Sequence, residues 1–207
     1  MLPPRKFDLK YSEVLQGDFG LEDLNLILVF QVNCPGCFAY ALPVAIRLHE
    51  EFRSKGLNVL ALSTAFEDFE FNTVGNTLRL LENGHIVGET RKVLERAGYP
   101  AFPLKIPFDV AFDLVVPNDP SFLEDDIKSF CAKHPELSID DAQDYLSIKK
   151  ELKEYFLNKA FRAHTFSANH LNGTPSWILC DRQKNLLYES FGHKEYERMV
   201  RIVEKFL

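Results

Sequence analysis

An α/β fold, with a central mixed β-sheet flanked by helices, is what the sequence predicts, and three stretches carry that prediction. Leu26 to Val32 is a short, nearly continuous apolar run, the pattern of a strand buried on both faces. Phe38 to Phe52 then places apolar residues at helical spacing, and Leu57 to Ser63 repeats the apolar run. Strand, helix and strand in that order make a crossover unit, so the two strands should be parallel. Far downstream, Trp177 to Cys180 and Leu186 to Phe191 flank the turn Asp181-Arg182-Gln183-Lys184-Asn185 and read as a hairpin, which adds antiparallel strands to the same sheet.

The first helix buries Ala41, Leu42, Ala45, Ile46, Leu48 and Phe52, with the charged residues Arg47, Glu50, Glu51 and Arg53 interleaved on its other face. Gly56 stops it, because only glycine enters the left-handed conformation at a helix end without cost. Asn72 to Gly84 and Gly88 to Ala97 read as two more helices, the second followed by Gly98-Tyr99-Pro100. Ile106 to Phe112 reads as a strand that tolerates Pro107 only near its start. Asp119-Pro120 is an N-cap and first-turn pair that opens a helix to about Lys133. Ser138 with Asp141 resembles a capping box, Asp replacing the usual Glu or Gln, and opens an amphipathic helix to about Ala163. Tyr196 to Phe206 closes the chain as a helix. No internal repeat, low-complexity tract or linker interrupts the pattern, so the expectation is one domain over residues 1–207.

With 207 residues and 46% hydrophobic content the chain can bury one core without disulfide staples. A formal charge of −6 provides no basic stripe to neutralise phosphates, which argues against nucleic acid and against an anionic membrane surface as partners. The longest apolar run, Leu26 to Val32, is interrupted by Gln31 and is far shorter than the ~18 residues a membrane span requires. The start, Met1-Leu2-Pro3-Pro4-Arg5-Lys6-Phe7-Asp8, lacks the apolar centre and small-residue cleavage site of a secretory signal, and the expected location is cytoplasmic.

Four cysteines in a chain of this length do not make a disulfide framework, and only Cys34 and Cys37 are close in sequence. Cys34-Pro35-Gly36-Cys37 falls where the first buried strand gives way to the first helix. Disulfide exchange needs a thiolate that attacks, a second thiol that resolves the mixed disulfide, and room for a partner sulfur. At a helix N-terminus the unpaired N–H groups and the helix dipole favour an anion, so Cys34 is the expected attacking thiol. Residues three apart on a helix have Cβ atoms roughly 5–6 Å apart, within a small adjustment of disulfide distance, so Cys37 is the expected resolving thiol. Pro35 lacks an N–H where the helix has no use for one, and Gly36 leaves a small surface beside the sulfur; both residues suit access by a protein substrate.

A structural zinc site is the rival reading, since Cys131-x-x-His134 supplies two further ligand types for a set of Cys34, Cys37, Cys131 and His134. Position argues against it: zinc ligand pairs usually come from small knuckles, whereas one of these pairs caps a buried strand and the other falls in an expected helix. No metal and no cofactor are therefore expected.

Together with the downstream segment Asn172-Gly173-Thr174-Pro175-Ser176-Trp177-Ile178-Leu179, the cysteine motif resembles the thioredoxin superfamily, and within it the TlpA-like or redoxin group. The resemblance spans 19–63, 106–113 and 173–206, and leaves 117–169 as a helical insertion ahead of the strand that follows Pro175. It implies a thioredoxin-like fold and thiol–disulfide exchange with protein substrates; in a reducing cytosol the expected direction is reduction of client disulfides, with an unknown recycling reductase restoring the dithiol. It further implies that Pro175 matches the family's cis-proline facing the cysteines and that Thr174 pairs with a substrate backbone as a short β-bridge. Taken alone, Thr174-Pro175 reads equally as an ordinary trans turn, the commoner state of an X–Pro bond.

The chain departs from the family in several places. Asn33 stands where thioredoxin has Trp before the first cysteine, Leu28 where it has a buried acid, and Tyr40 where the ResA group has Glu after the second cysteine. The helix proline that the family places eight residues after the first cysteine is here Pro43, nine after, which implies a turn irregularity between them. Ile27 and Gln31 replace the Pro and Thr or Ser that precede a peroxiredoxin cysteine, so peroxidase activity is disfavoured. A thioredoxin-like adaptor without catalysis is the alternative from another functional class. Elsewhere, His164 and His170 read as surface or capping residues rather than proton carriers, and Cys180 as an inert buried thiol. Phe66, Phe69 and Phe71 read either as core or as a substrate groove, and Glu124-Asp125-Asp126 as a solvated helical turn.

Overall fold

The computed structural model describes residues 5–119, 127, 150–151, 153–154 and 160–207. Its centre is a six-stranded mixed sheet built from β1 (Tyr11–Gln16), β2 (Leu24–Phe30), β3 (Leu57–Ser63), β4 (Asp109–Asp113), β7 (Ser176–Asp181) and β8 (Leu186–Phe191), in the spatial order β1-β4-β3-β2-β7-β8. β2 and β3 run parallel, as do β3 and β4; β1 is antiparallel to β4, β7 to β2, and β8 to β7. The parallel crossover and the terminal hairpin that the apolar runs predict are both present. A separate two-stranded ladder joins β5 (Val115–Pro117) to β6 (Phe161–Ala163).

Every residue of β2 and β3 is buried, which is why both strands read as nearly continuous apolar runs rather than as alternating ones, with Asn25 and Asn58 hydrogen-bonded to each other inside them. Leu26, Leu28 and Phe30 face one layer with α1 (Leu42–Phe52), Leu80 of α2 (Val74–Asn83), Leu94 of α3 (Gly88–Arg96), and Met199 and Val203 of α5 (Tyr196–Val203). Ile27 and Val29 face the opposite layer, filled by Phe7, Leu9, Phe19 and Leu171. Each such side chain contributes about 1.5–3 kcal/mol on burial, so two covered faces fix the register of the central strands.

Beyond end shifts of one or two residues, as in β2, four elements differ from the sequence expectation. β4 begins at Asp109, after Ile106 and Pro107, because the Ile106 and Phe108 carbonyls are taken by the Gln16 side chain instead of a ladder partner. β1 has no apolar signature, being an edge strand with mostly exposed side chains. Residues 161–163 form a strand instead of the end of a long helix, since Val115–Pro117 offers them a ladder. They lead into the short α4 (His164–Ala168), whose second and third N–H groups, those of Thr165 and Phe166, donate to the Asp113 carboxylate. α5 ends at Val203, followed by turns. Most of the expected insertion 117–169 lies outside the described residues, including Pro120, the Glu124-Asp125-Asp126 run, Cys131, His134 and the Ser138 and Asp141 pair. Among the described residues no helix is long and apolar enough to cross a membrane.

Candidate functional site

β2 delivers the chain to the C-terminal edge of the parallel strands, and the segment that follows carries Cys34 and Cys37, joined as a disulfide with their Cα atoms 5.3 Å apart. Cys34 retains 9% of its surface and Cys37 none, so a partner sulfur can approach only the first. The Cys37 N–H donates to Cys34 Sγ at 3.2 Å and to the Cys34 carbonyl at 2.9 Å. In the opened form that N–H would face a thiolate and, with the helix N-terminus behind it, would favour the charged sulfur. Gly36 has open space where a Cβ would stand, so no residue covers the turn between the two cysteines at that point.

Residues Cys37–Ala41 form a π turn, in which the Leu42 N–H reaches back five residues to the Cys37 carbonyl. One residue more than an α-turn is accommodated there, and Pro43 falls in the first turn of α1, where its missing N–H costs nothing. The extra residue between Cys34 and Pro43 is therefore absorbed beside the cysteines.

The second half of the site comes from the segment before β7. The Thr174–Pro175 peptide bond is cis, and the Thr174 carbonyl oxygen lies 3.5 Å from Cys34 Sγ. Its placement follows from hydrogen bonds on both sides: Ser176 Oγ donates to the Gly173 carbonyl at 2.7 Å, the Gly192 N–H to the Pro175 carbonyl at 2.8 Å, and Trp177 Nε1 to the Gly192 carbonyl at 3.1 Å. Gly173 has φ +151° and lies against the Phe191 ring, an approach that a Cβ would block. Cys34, Cys37, Thr174 and Pro175 are thus brought together from residues about 140 positions apart, with Pro35 and Gly36 forming the turn between the sulfurs.

Two polar residues to which sequence reasoning assigns no role join this site. Gln31, 2% exposed, accepts from Thr174 Oγ1 at 3.0 Å and donates through Nε2 to the Glu67 carbonyl at 3.4 Å. Asn33 has three partners: its N–H donates to Asn72 Oδ1, its Nδ2 to Asp68 Oδ2, and its Oδ1 accepts from the Glu89 N–H at the start of α3. The one signal available in the sequence is a polar residue, Gln31, closing an otherwise apolar run.

The remaining candidates are engaged elsewhere. His164 pairs with Asp8 at 3.1 Å, and His170 sits at φ +51°. Tyr40 is exposed and rests on the His193 ring, 4.4 Å between centroids. Cys180 is fully buried, and burial together with Asp181 pushes its thiol up to about 12. Phe66, Phe69 and Phe71 are half-buried, which corrects a pure core reading; Phe66 stacks on Phe166 and Phe69 tilts against Phe161. Asp113, fully buried beside β3, accepts from Thr64 Oγ1, and burial pushes its carboxyl above the usual carboxylate range against the hydrogen bonds it receives. Among the described residues no three His, Cys, Asp or Glu side chains are arranged to hold a metal ion; Cys131 and His134 lie outside that set.

No protein-family model matches the chain, and no curated protein sequence matches it. Solved structures do match over nearly its full length. A thiol-disulfide isomerase from Corynebacterium glutamicum superposes with a TM-score of 0.59 at 18% identity, over 99% of this chain and 96% of that one. A thioredoxin-like superfamily protein gives 0.56 at 18% identity, over 97% and 95%. A thioredoxin-like protein in its oxidised form gives 0.51 at 12% identity, over 100% and 97%. At these identities the likeness is one of architecture: the fold is thioredoxin-like.

Proposed function

We propose that this chain is a thiol–disulfide oxidoreductase acting on protein substrates through Cys34 and Cys37. The observation that carries the reading is the asymmetry of the pair: a sulfur at the surface, bonded to a sealed one, 3.5 Å from the Thr174 carbonyl. The thioredoxin-like fold and the name of the Corynebacterium glutamicum protein agree with it.

In the reducing direction the Cys34 thiolate attacks one sulfur of a client disulfide. A Cys34–client bond forms, the client S–S bond breaks, and the other client sulfur leaves as a thiolate that takes a proton from solvent. Cys37 then loses its proton and attacks Cys34 Sγ, closing the intramolecular disulfide and releasing the second client thiolate. Two electrons pass from the cysteine pair to the client, and a dithiol reductant, the recycling reductase, must return them. Pro35 and Gly36 keep the approach open, while Thr174 and Pro175 hold an extended client segment beside Cys34. A cytoplasmic location accompanies the reducing direction. The same reading takes residues 1–207 as one domain with 117–169 inserted.

A Cys37→Ser variant tests the reaction: it should accumulate mixed disulfides through Cys34, visible as client bands released by reductant on a gel. Client binding without any covalent adduct would make the chain an adaptor. Direction is tested by titrating the pair in glutathione buffers. A midpoint near the roughly −270 mV of thioredoxin supports reduction, and one near about −120 mV would make the chain an oxidant.

A further inference from the structure

We infer that Gln31 is a positioning residue for the client-binding edge of the site, an inference that rests on the thiol–disulfide reading above. Gln31 is the first residue past β2, three before Cys34, and its carboxamide is buried, so both of its ends need partners. The two partners decide its orientation. The Glu67 carbonyl can only accept, so it must face Nε2, and Oε1 is left for Thr174, whose hydroxyl then donates.

That bond matters because, among the described residues, it is the hydrogen bond that joins the Thr174 side chain to the segment carrying Cys34; the Ser176 Oγ bond to the Gly173 carbonyl and the Gly192 N–H bond to the Pro175 carbonyl tie the stretch only to its own segment and to the end of β8. Gln31 ties Thr174 to the end of the fully buried β2, whose own Phe30 carbonyl is held by the Thr64 N–H. On its far side, Gln31 grips the loop after β3, and that same loop holds Asn33 through Asp68 and Asn72. The strand end that carries Cys34 and the loop over it are thus joined at both Gln31 and Asn33, and the Thr174 edge is tied to that pair through Gln31. Within this arrangement, Gln31 sets the distance between the attacking sulfur and the backbone that receives the client, and makes no contact with the reacting atoms.

The test separates substrates that need this edge from those that do not. Insulin offers a polypeptide disulfide, and 5,5′-dithiobis(2-nitrobenzoate) offers a small one with no backbone to pair. Gln31→Met keeps the side-chain length and removes both hydrogen bonds. It should raise KM for insulin about tenfold with little change in kcat, while the small disulfide reacts within about twofold of the parent rate, which also shows that the variant is folded. Equal slowing of both substrates or an unchanged KM for insulin would overturn the role. A parent protein that reacts with neither disulfide overturns the proposed function and this role with it; a parent that reacts with both beside an unaffected variant overturns this role alone.

Discussion

Single residues with the same chemistry behave differently here because of where they lie. Cys34 and Cys180 are both thiols in the reduced chain, yet one meets solvent at the end of β2 and the other is sealed in β7, where its ionisation is pushed up to about 12. Reduced protein treated with iodoacetamide at about pH 8 should therefore carry label on Cys34 and none on Cys180 until it is unfolded, as read by peptide mass spectrometry. His49 makes a second case. Burial and the nearby Arg53 lower its pKa from the usual 6.5, and its Nδ1 is buried with no hydrogen-bond partner among the described residues. A depressed histidine contributes stability that is complete above 6.5 and is lost as pH falls through its folded value. Urea midpoints should drop as pH goes below 6.5, and a His49→Leu variant should show a shallower drop.

Among the elements, helix ends obey local rules that the sequence displays openly. Gly56 and Gly84 both close helical segments at positive φ, +102° and +74°, as their positions suggest. Their surroundings differ: a Cβ on Gly56 would meet nothing nearer than 3.8 Å, whereas on Gly84 it would stand 2.6 Å from the Phe102 carbonyl oxygen. Gly56→Ala should cost about 1 kcal/mol for the left-handed conformation alone, and Gly84→Ala at least about 2 kcal/mol, because backbone must also move. Denaturant titration of the two variants compares them directly. The π turn at Cys37–Ala41 is a different kind of feature, foreshadowed only by the spacing of Pro43 from Cys34. Residues 161–163 show the limit of local reasoning, since a helical pattern gave way to a strand once Val115–Pro117 was there to pair with it.

At the scale of the whole molecule, Asp113 joins pieces that are remote in sequence. Its carboxylate receives the N–H groups of Thr165 and Phe166 and the hydroxyl of Thr64, linking β4, the end of β3 and the start of α4. Asp113→Ala would leave those donors without their acceptor in a buried place, at a cost of about 3 kcal/mol in urea unfolding. Reactivity of Cys34 with a small disulfide should be unchanged in the folded variant, because none of these bonds touches Cys34 or Thr174.

What the sequence determined by itself was everything written in nearest-neighbour terms. Apolar runs identified strands covered on both faces, a 3.6-residue period identified α1 and α5, and two cysteines three apart after a strand identified the disulfide pair. The tertiary structure alone decided which distant groups meet: the Thr174 carbonyl at Cys34, Gln31 under Thr174, Asn33 across the start of α3, Asp113 beneath α4. The physical reason is that burial and backbone periodicity leave their mark along the chain, residue by residue. A hydrogen bond across 140 residues leaves only a polar side chain whose partner the packing of the whole sheet must supply.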